Sequence, residues 1–345
     1  LYRGPDQGLA LPVGFDAQLV ATPRRAGATN PAATVRTWES LNDVATVDAR
    51  GIVTALRAGT MQIRATLTDG YSEVFSAPTT VAQAGDPARY ADPLQFGTPT
   101  DRTPDDDFVL TRNGYVASYN RHTNRPNWTV YNLDRDNKGD IPSLRCDCFT
   151  FDPELRAAGF TEVTTADYTN SGFSRGHMVV SNDRELGYLD QAQTYYLSNI
   201  VPQNGTQNSG PWGDLEEYLL TQLAQGANRE LFIFTGPAGV IVSGTDTAKV
   251  GGKVAIPTHT WKIAVVLERD RGIGAVRSPG DVVDVIAVLM PNTASANSDW
   301  TKSRTTVDAI EAATGYDFLS ALPDGVEAAL EARREGVAIL EMDLS

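Results

Sequence analysis

The pattern of apolar residues changes once along this chain of 345 residues, and that change constrains the fold more than any other feature. From residue 11 to residue 81, short runs alternate apolar and polar residues, and turn signals such as Asp69-Gly70 separate them. Alternation with a period of two is typical of strands, and no helical period is visible here. Residues 1–84 are therefore predicted to form a small antiparallel sandwich.

The rest of the chain divides into a short irregular segment and a longer mixed region. Residues 85–107 are rich in proline, glycine and aspartate without periodicity, which predicts a partly ordered linker. Residues 108–345 mix strand and helix patterns in no strict βαβ order, which favours an α+β domain. The predicted fold class is thus multidomain, with an all-β sandwich followed by an α+β domain.

Composition excludes some classes of protein and leaves others open. A formal net charge of −14 favours solubility and, taken alone, argues against a polyanionic partner, although an enzyme can carry a locally basic or metal-containing site. No run of 18 apolar residues occurs, so no membrane span is predicted. The opening LYRGPDQGLALP has neither an initiator methionine nor a basic-then-apolar signal pattern, and we interpret it as a processed or trimmed start.

The chain contains two cysteines, Cys146 and Cys148. A bridge between residues two apart strains the usual disulfide geometry, which favours two free thiols. A tight Cys146–Cys148 bridge is the alternative.

The first part of the chain carries a recognisable order of residues. It resembles the bacterial immunoglobulin-like group 2 domain through Trp38, Ser40, Val44, Ala45, Val47, Gly51, Val53, Thr54, Ala55 and Gly59. Such domains serve as spacers, stalks or adhesive modules on exported proteins. The resemblance therefore implies a bacterial protein that is secreted or held in the cell envelope, with the sandwich as a spacer or a tether to the cell surface.

Three segments of the second part concentrate polar residues of catalytic type. They are SRGHMVVSNDR from residue 174, YYLSNIVPQNGTQN from residue 195 and GPWGDLEEYLL from residue 210. His177, one of three histidines, is predicted to lead into an apolar strand, and Asn199 to end another. Asn208 lies just before Pro211-Trp212, a predicted first helical turn, where asparagine commonly caps a helix. The order strand, loop, strand and helix predicts a compact finger.

These segments resemble the DNA/RNA non-specific endonucleases with a ββα-metal fold. That family's signature is D-R-G-H, then S-N-(I/M)-x-P-Q, then N-x-x-x-W-x-x-L-E, and Ser174 replaces its first aspartate here. The resemblance spans roughly residues 108–321. The matching residues are Arg175, Gly176, His177, Ser198, Asn199, Ile200, Pro202, Gln203, Asn208, Trp212, Leu215 and Glu216.

The resemblance implies a metal-dependent, sugar-non-specific endonuclease that acts on DNA and RNA. His177 is the expected general base, since a histidine with a pKa near 6.5 suits deprotonation of water at neutral pH. Asn208 is the expected direct protein ligand of Mg²⁺, with Mn²⁺ or another divalent cation as alternatives, and Glu216 is expected to hold metal-bound waters. Arg175 is expected to face the phosphate, and Asn199 is a site residue without an assigned role.

Two departures from the family pattern bear on activity. An arginine is expected in an F-R-x-D segment, where Thr150 stands, and another four residues after Glu216, where Leu220 stands. Candidates to replace these cations are Arg121, Arg125, Arg145 and Arg184. The missing arginines favour one alternative function, a catalytically weak or inactive module that binds nucleic acid. A cell-surface adhesin that acts through the sandwich is a second alternative, which the generic pattern of that domain neither supports nor excludes.

Overall fold

The computed structural model describes residues 10–21, 24–25, 28–29, 33–139, 141 and 146–334. Arg145, a candidate cation of the site, lies outside the described residues. Among the described residues, no helix is both long enough and apolar enough to cross a membrane.

The first part of the chain forms the predicted sandwich of short strands. Four strands pair in the order β1-β9-β8-β5 and three in the order β2-β7-β6, while β3 and β4 form a hairpin. A side chain on Gly51 would lie 2.8 Å from the Trp38 ring, so this glycine lets the tryptophan pack against the backbone. The strands are β1 Leu11–Pro12, β2 Asp16–Gln18, β3 Arg24–Arg25, β4 Ala28–Thr29, β5 Val35–Ser40, β6 Ala45–Val47, β7 Ile52–Ala55, β8 Gly59–Leu67 and β9 Ser72–Thr80.

The second part is built on an antiparallel sheet of seven strands in the order β10-β11-β12-β15-β20-β21-β22. Its central strands are buried along nearly their whole length, because both faces of the sheet are covered. Three further two-stranded sheets pair β13 with β14, β16 with β17 and β18 with β19. The strands are β10 Phe108–Arg112, β11 Tyr115–Asn120, β12 Arg125–Leu133, β13 Phe173–His177, β14 Ile200–Asn204, β15 Arg229–Ala238, β16 Val242–Ser243, β17 Asp246–Thr247, β18 Lys249–Val250, β19 Val254–Ala255, β20 His259–Glu268, β21 Asp284–Pro291 and β22 Arg304–Thr305.

Helices cover the two faces of the large sheet. A helical run from residue 205 to residue 226 packs on one face through Trp212, Leu215 and Leu219, and the last two helices pack on the other through Ile310 and Leu330. The α-helices are α1 Pro153–Ala157, α2 Thr165–Tyr168, α3 Tyr188–Gln193, α4 Gly205–Gln207, α5 Gly213–Glu217, α6 Val307–Thr314 and α7 Asp324–Glu331. Within the run, the segment Asn208–Trp212 contains a kink at Gly210, whose backbone is not helical, and Tyr218–Gly226 is wound as a wider π-helix. Short 3₁₀ turns lie at Pro87–Arg89, Pro104–Asp106, Ser181–Asp183, Leu197–Asn199, Ile273–Ala275, Pro279–Asp281 and Trp300–Ser303.

The predicted fold class is confirmed, and several local predictions are wrong. His177 ends a strand instead of leading into one, because β13 pairs through residues 173–177 and the buried Met178 and Val179 do not continue the strand. Asn199 lies in the 3₁₀ turn directly before β14, so it precedes a strand instead of ending one.

The predicted first helical turn at Pro211-Trp212 follows a kink at Gly210, whose backbone is not helical. The short helix before that kink is capped by Asn204, whose side chain accepts from the Thr206 N–H, so Asn208 is not an N-cap. Cys146 and Cys148 form a disulfide, so the expectation of free thiols is also wrong.

The segment 85–107 packs against the second part of the chain. Phe96 is fully buried in the core beneath the large sheet, with its ring 5.1 Å from that of Phe232. The backbone N–H of Gly85 and the hydroxyl of Tyr90 both donate to the Asp190 carboxylate, at 3.0 and 2.9 Å.

The sandwich also contacts the second part directly. The ring of Phe15 stacks on that of Tyr196 at 5.1 Å, and the hydroxyl of Tyr188 donates to the carbonyl of Ala10 at 2.9 Å. One cluster of buried apolar residues contains members of both parts. The sandwich is therefore held against the side of the second domain that carries β13 and β14.

Candidate active site

The strands β13 and β14 place the first two signature segments side by side. Gly176 lies opposite Val201, and His177 lies opposite Ile200. A β-carbon on Gly176 would fall 1.7 Å from Oε1 of Gln203, so only glycine lets the buried Gln203 side chain cross this strand. Gln203 donates in turn to Gln207 at 3.1 Å, which ties the two strands to the first turn of the helical run.

The imidazole of His177 is half-buried between two aromatic rings. The Tyr195 ring meets it edge to face at 4.8 Å, and the Phe149 ring is tilted against it at 5.4 Å. Aromatic neighbours on two sides restrict the rotation of the imidazole. The ring is therefore held in a fixed orientation at the end of β13.

The guanidinium of Arg175 lies 4.0 Å from the centre of the Phe149 ring. Burial lowers the pKa of Arg175, and the nearby Asp147, Tyr168 and Tyr195 oppose that shift. Arginine stays charged at neutral pH even so, and its planar donors suit a phosphate group. The stacked geometry therefore presents one fixed positive charge beside His177.

Asn208 and Glu216 come from the helical run that follows β14. Asn208 is half-buried, and Glu216 lies farther along on the same side of the site. Lys262, on the central strand β20, is 1% exposed, donates to Glu216 at 3.0 Å and lies over the Trp212 ring at 4.6 Å. The carboxylate of Glu216 is thus anchored from the sheet beneath it.

Two adjoining cavities meet at these side chains. Arg175, His177 and Asn208 line both cavities, whose volumes are about 460 and 380 Å³. The smaller cavity is also lined by Glu216 and Asp183. An arginine, an imidazole, amides and carboxylates therefore line one cleft, which suits proton transfer beside a bound anion and a hard cation.

Sequence reasoning missed two members of this site, Asp183 and Lys262. Burial raises the pKa of Asp183 to about 6, a shift that Arg184 and Lys262 oppose, and the Tyr131 hydroxyl donates to its carboxylate at 3.0 Å. Their signal in the sequence is weak but present. Lys262 interrupts an apolar strand pattern, and Asp183 follows six residues after His177 in the same motif.

Comparison with known proteins agrees with this geometry. Residues 92–325 match the family model described as DNA/RNA non-specific endonuclease. The chain belongs to the DNA/RNA non-specific endonuclease family. Residues 6–81 match the bacterial Ig-like domain of group 2, so the sandwich also has the predicted identity.

Individual relatives extend the same assignment. The nuclease is 36% identical over 243 residues to a nuclease of Nostoc sp., covering 68% of this chain and 81% of that protein. It is 35% identical over 202 residues to nuclease C1 of Cunninghamella echinulata, covering 55% and 77%. Human mitochondrial endonuclease G is 28% identical over 192 residues, covering 53% and 60%. These relatives make the protein a nuclease, and hence a hydrolase.

A solved structure of the EndoG/EndoGI complex shares the fold. Its matching chain is 22% identical, with a TM-score of 0.53, and the match covers 68% of this nuclease and 92% of that chain. The seven-stranded sheet with helices on both faces is therefore a fold shared with endonuclease G.

Asn199 lies behind the cleft of the nuclease instead of lining it. Its side chain accepts from the Val179 N–H at 2.9 Å and donates to the carbonyls of Val179 and Thr194 at 3.0 and 2.9 Å. These bonds use the oxygen and both amide hydrogens. Asn199 thus fixes the backbone just after His177, as a positioning residue.

The two positions that lack the expected arginines are both buried. Thr150 accepts a hydrogen bond from the backbone N–H of Asp16 in the sandwich, and Leu220 packs in the core beneath the helical run while lining the smaller cavity. A cation is therefore absent from both places.

The candidate replacement arginines of the described residues all lie away from the cleft. Arg125 is buried and donates to the carbonyls of Ala255 and Gly239. Arg184 is buried beneath Tyr131 and donates to the backbone. Arg121 is exposed over the Phe160 ring. None of these three lines either cavity of the cleft.

Proposed function

We propose that this nuclease hydrolyses phosphodiester bonds of both DNA and RNA with the help of a divalent cation. The observation that supports this most is the convergence of Arg175, His177 and Asn208 on both cavities of one cleft. A phosphodiester is common to both nucleic acids, and none of these three side chains has to read a base.

His177 is the general base in this proposal. Its ring is held between Phe149 and Tyr195, so the imidazole has one orientation in which to take a proton from water. A base already oriented for transfer loses no rotational freedom at the moment of reaction. Asn199 supports the same orientation, because its side chain bonds the backbone N–H and carbonyl of Val179, two residues after His177.

The donors around the smaller cavity fit a hard divalent cation such as Mg²⁺. Asn208, Glu216 and Asp183 offer oxygen atoms there, which Mg²⁺ and Mn²⁺ prefer. Among the described residues, no trio of His, Cys, Asp or Glu ligands converges at this place, so a bound ion would keep several waters. When bound, the cation would offset charge on the leaving oxygen. Asn208 is the direct ligand in this proposal, and Glu216, held by Lys262, orients water.

Arg175 binds the scissile phosphate in this scheme. It lines the cleft beside His177, and its stacking on Phe149 fixes the direction of its donors. A positioned guanidinium stabilises the additional negative charge of the pentavalent phosphorus in the transition state.

A second candidate function is a module that binds nucleic acid and cleaves it weakly. The burial of Thr150 and Leu220 where arginines are expected favours it, because the cleft then carries less positive charge. The retained His177 and Asn208 favour the hydrolase, since a module that only binds needs neither a base nor a metal ligand.

We also propose that the protein acts outside the bacterial cytoplasm, with the Ig-like domain available to attach it to the cell surface. The Cys146–Cys148 disulfide supports this, because such bonds persist mainly in oxidising compartments. Fractionation of the source cells, followed by detection of the protein in each fraction, tests the location.

The experiment that tests the proposed activity is cleavage of plasmid DNA and of a long RNA. Each substrate is incubated with purified protein and Mg²⁺, and in parallel with an excess of EDTA. Cleavage of both substrates that is lost with EDTA supports the hydrolase. If the protein binds either substrate but cleaves neither with any divalent cation tested, the result would favour the weak or inactive module.

A further inference from the structure

The larger cavity of the cleft is shared between the two domains. It is lined by Gln18 and Val20 of the Ig-like domain and by Arg175, His177 and Asn208 of the nuclease domain. Its volume is about 460 Å³. The Ig-like domain therefore forms a wall beside the catalytic side chains instead of standing apart from them.

This wall is fixed in place by contacts next to the cleft. Phe15 stacks on Tyr196, and the backbone N–H of Asp16 bonds the Thr150 hydroxyl. The Asp16 carboxylate in turn accepts from the Thr54 hydroxyl at 2.6 Å, which braces β2 against β7. Gln18 ends β2, so the strand that carries the contact to Thr150 also delivers Gln18 to the cavity.

The lining of the shared cavity suits a nucleobase better than a second phosphate. Three aromatic side chains line it together with Val20, namely Phe149, Tyr168 and Phe173. Among the described residues, Arg175 is the one arginine that lines it, and the acidic Asp147 accompanies it there. Aromatic rings stack on the face of any base and an aliphatic side chain adds apolar contact, whereas a phosphate requires excess positive charge.

We propose that this cavity receives an unpaired base next to the scissile phosphate, and that the enzyme consequently prefers single-stranded nucleic acid. The proposal rests on the hydrolase function proposed above. A base in a duplex is stacked and paired, and must be turned out of the helix before it can enter such a cavity. The Ig-like domain thereby selects the substrate instead of serving only as a spacer.

The first part of the test compares two substrates of one sequence. A fluorescent single-stranded oligonucleotide and the same strand in a duplex are cleaved by the wild-type protein with Mg²⁺. We expect kcat/KM for the single strand to exceed that for the duplex by roughly tenfold or more, since turning out a base is costly.

The second part changes the wall itself. Val20, which is 57% exposed, is replaced by glutamate, and Val74, which is 45% exposed on another strand of the same domain, receives the same change as a matched control. We expect Val20→Glu to raise KM for the single strand about tenfold or more, because it removes apolar surface under the base and places a carboxylate close to the phosphates, a like-charge contact that is costly. The duplex should be affected less, and Val74→Glu should match the wild type. Circular dichroism and melting temperature verify that both variants fold.

The outcomes separate this inference from the proposed function. If the wild type cleaves neither substrate, the hydrolase function fails and the inference fails with it. If the wild type cleaves single strands and duplexes equally well, or if Val20→Glu behaves like Val74→Glu, the hydrolase function is retained. The proposal that the Ig-like domain helps to bind an unpaired base is then refuted.

Discussion

At the scale of the residue, His177 carries the chemistry that this account requires. Its ring contacts Phe149 and Tyr195 but does not support the core, since it is half-buried at the mouth of the cleft. We expect His177→Ala to lower kcat by about 10² to 10⁴ while the melting temperature changes little, because loss of a general base has that range of effect. His122→Ala, at an exposed turn, is the matched control. Activity of folded His177→Ala within threefold of the wild type would remove this residue from the mechanism.

A second residue, Glu331, makes the stability of the protein depend on pH. It is 8% exposed at the end of α7. Burial and, after it, the nearby carboxylates of Glu311, Glu327, Asp308 and Asp317 together raise its pKa from the ordinary value of 4.5 to about 8. The folded protein thus binds this proton more tightly than the unfolded chain does. The free energy of unfolding therefore falls as the pH rises from about 4.5 towards 8.

Replacing Glu331 by glutamine should remove much of that loss. One pKa unit corresponds to about 1.4 kcal/mol, so we expect Glu331→Gln to raise the free energy of unfolding at pH 8 by at least about 1 kcal/mol, with little change near pH 4.5. Urea unfolding across this pH range measures it, with Glu73→Gln, an exposed position of the sandwich, as the control. A Glu331→Gln variant that is less stable than the wild type at pH 8 would show that the carboxylate is stabilising instead.

At the scale of the element, the pairing of β13 with β14 sets the geometry of the cleft. Gly176 allows Gln203 to cross the strand beside His177. We expect Gly176→Ala to destabilise the protein by about 1 to 3 kcal/mol, as overpacking of a tight site does, and to lower cleavage by displacing His177. Gly205→Ala, whose added carbon meets its nearest neighbour at 3.5 Å, is the control.

Combining Gly176→Ala with Gln203→Ala separates crowding from other effects of the added methyl group. The double variant should recover part of the stability lost by Gly176→Ala alone, because the atom that the new carbon meets is gone. Recovery is measured by thermal unfolding. A double variant in which the two losses simply add would contradict the crowding argument.

Elements also show where the sequence was informative and where it was not. The three signature segments imply that Arg175, His177 and Asn208 share a site, because their order and spacing follow the family pattern, and the fold brings them to one cleft. The exact end of β13 was not predictable, since Met178–Val180 continues the apolar pattern while pairing stops at His177. Lys262 reaches Glu216 only through the sheet, so its role depends on long-range strand pairing that a local pattern cannot reveal.

At the scale of the whole molecule, the two domains and the segment between them form a continuous packed body. The composition of residues 85–107 predicts a linker, but Phe96 within them is buried in the core of the nuclease domain. A proline- and glycine-rich composition indicates how the backbone turns, but it does not indicate what the aromatic residues Tyr90 and Phe96 contact. The sequence also could not predict that Gln18 and Val20 line the cleft, because their position depends on how the two domains pack against each other.

The burial of Phe96 gives a prediction about the whole fold. We expect Phe96→Ala to lower the free energy of unfolding by about 3 to 5 kcal/mol, the usual cost of removing a large buried side chain. Leu56→Ala, at a position that is 51% exposed, should have little effect. Denaturant unfolding measures both. A change for Phe96→Ala below about 1 kcal/mol would mean that the segment behaves as a linker after all.

The metal dependence of cleavage tests the central claim, that Asn208 binds the cation that serves His177 and Arg175. The measurement is the Mg²⁺ concentration that gives half-maximal cleavage of one oligonucleotide by the wild type, Asn208→Ala and Asn208→Asp. Losing the direct ligand should raise that concentration at least about tenfold in Asn208→Ala, whereas Asn208→Asp, which keeps an oxygen donor, should stay closer to the wild type. Equal Mg²⁺ requirements in the wild type and a folded Asn208→Ala variant would contradict the account.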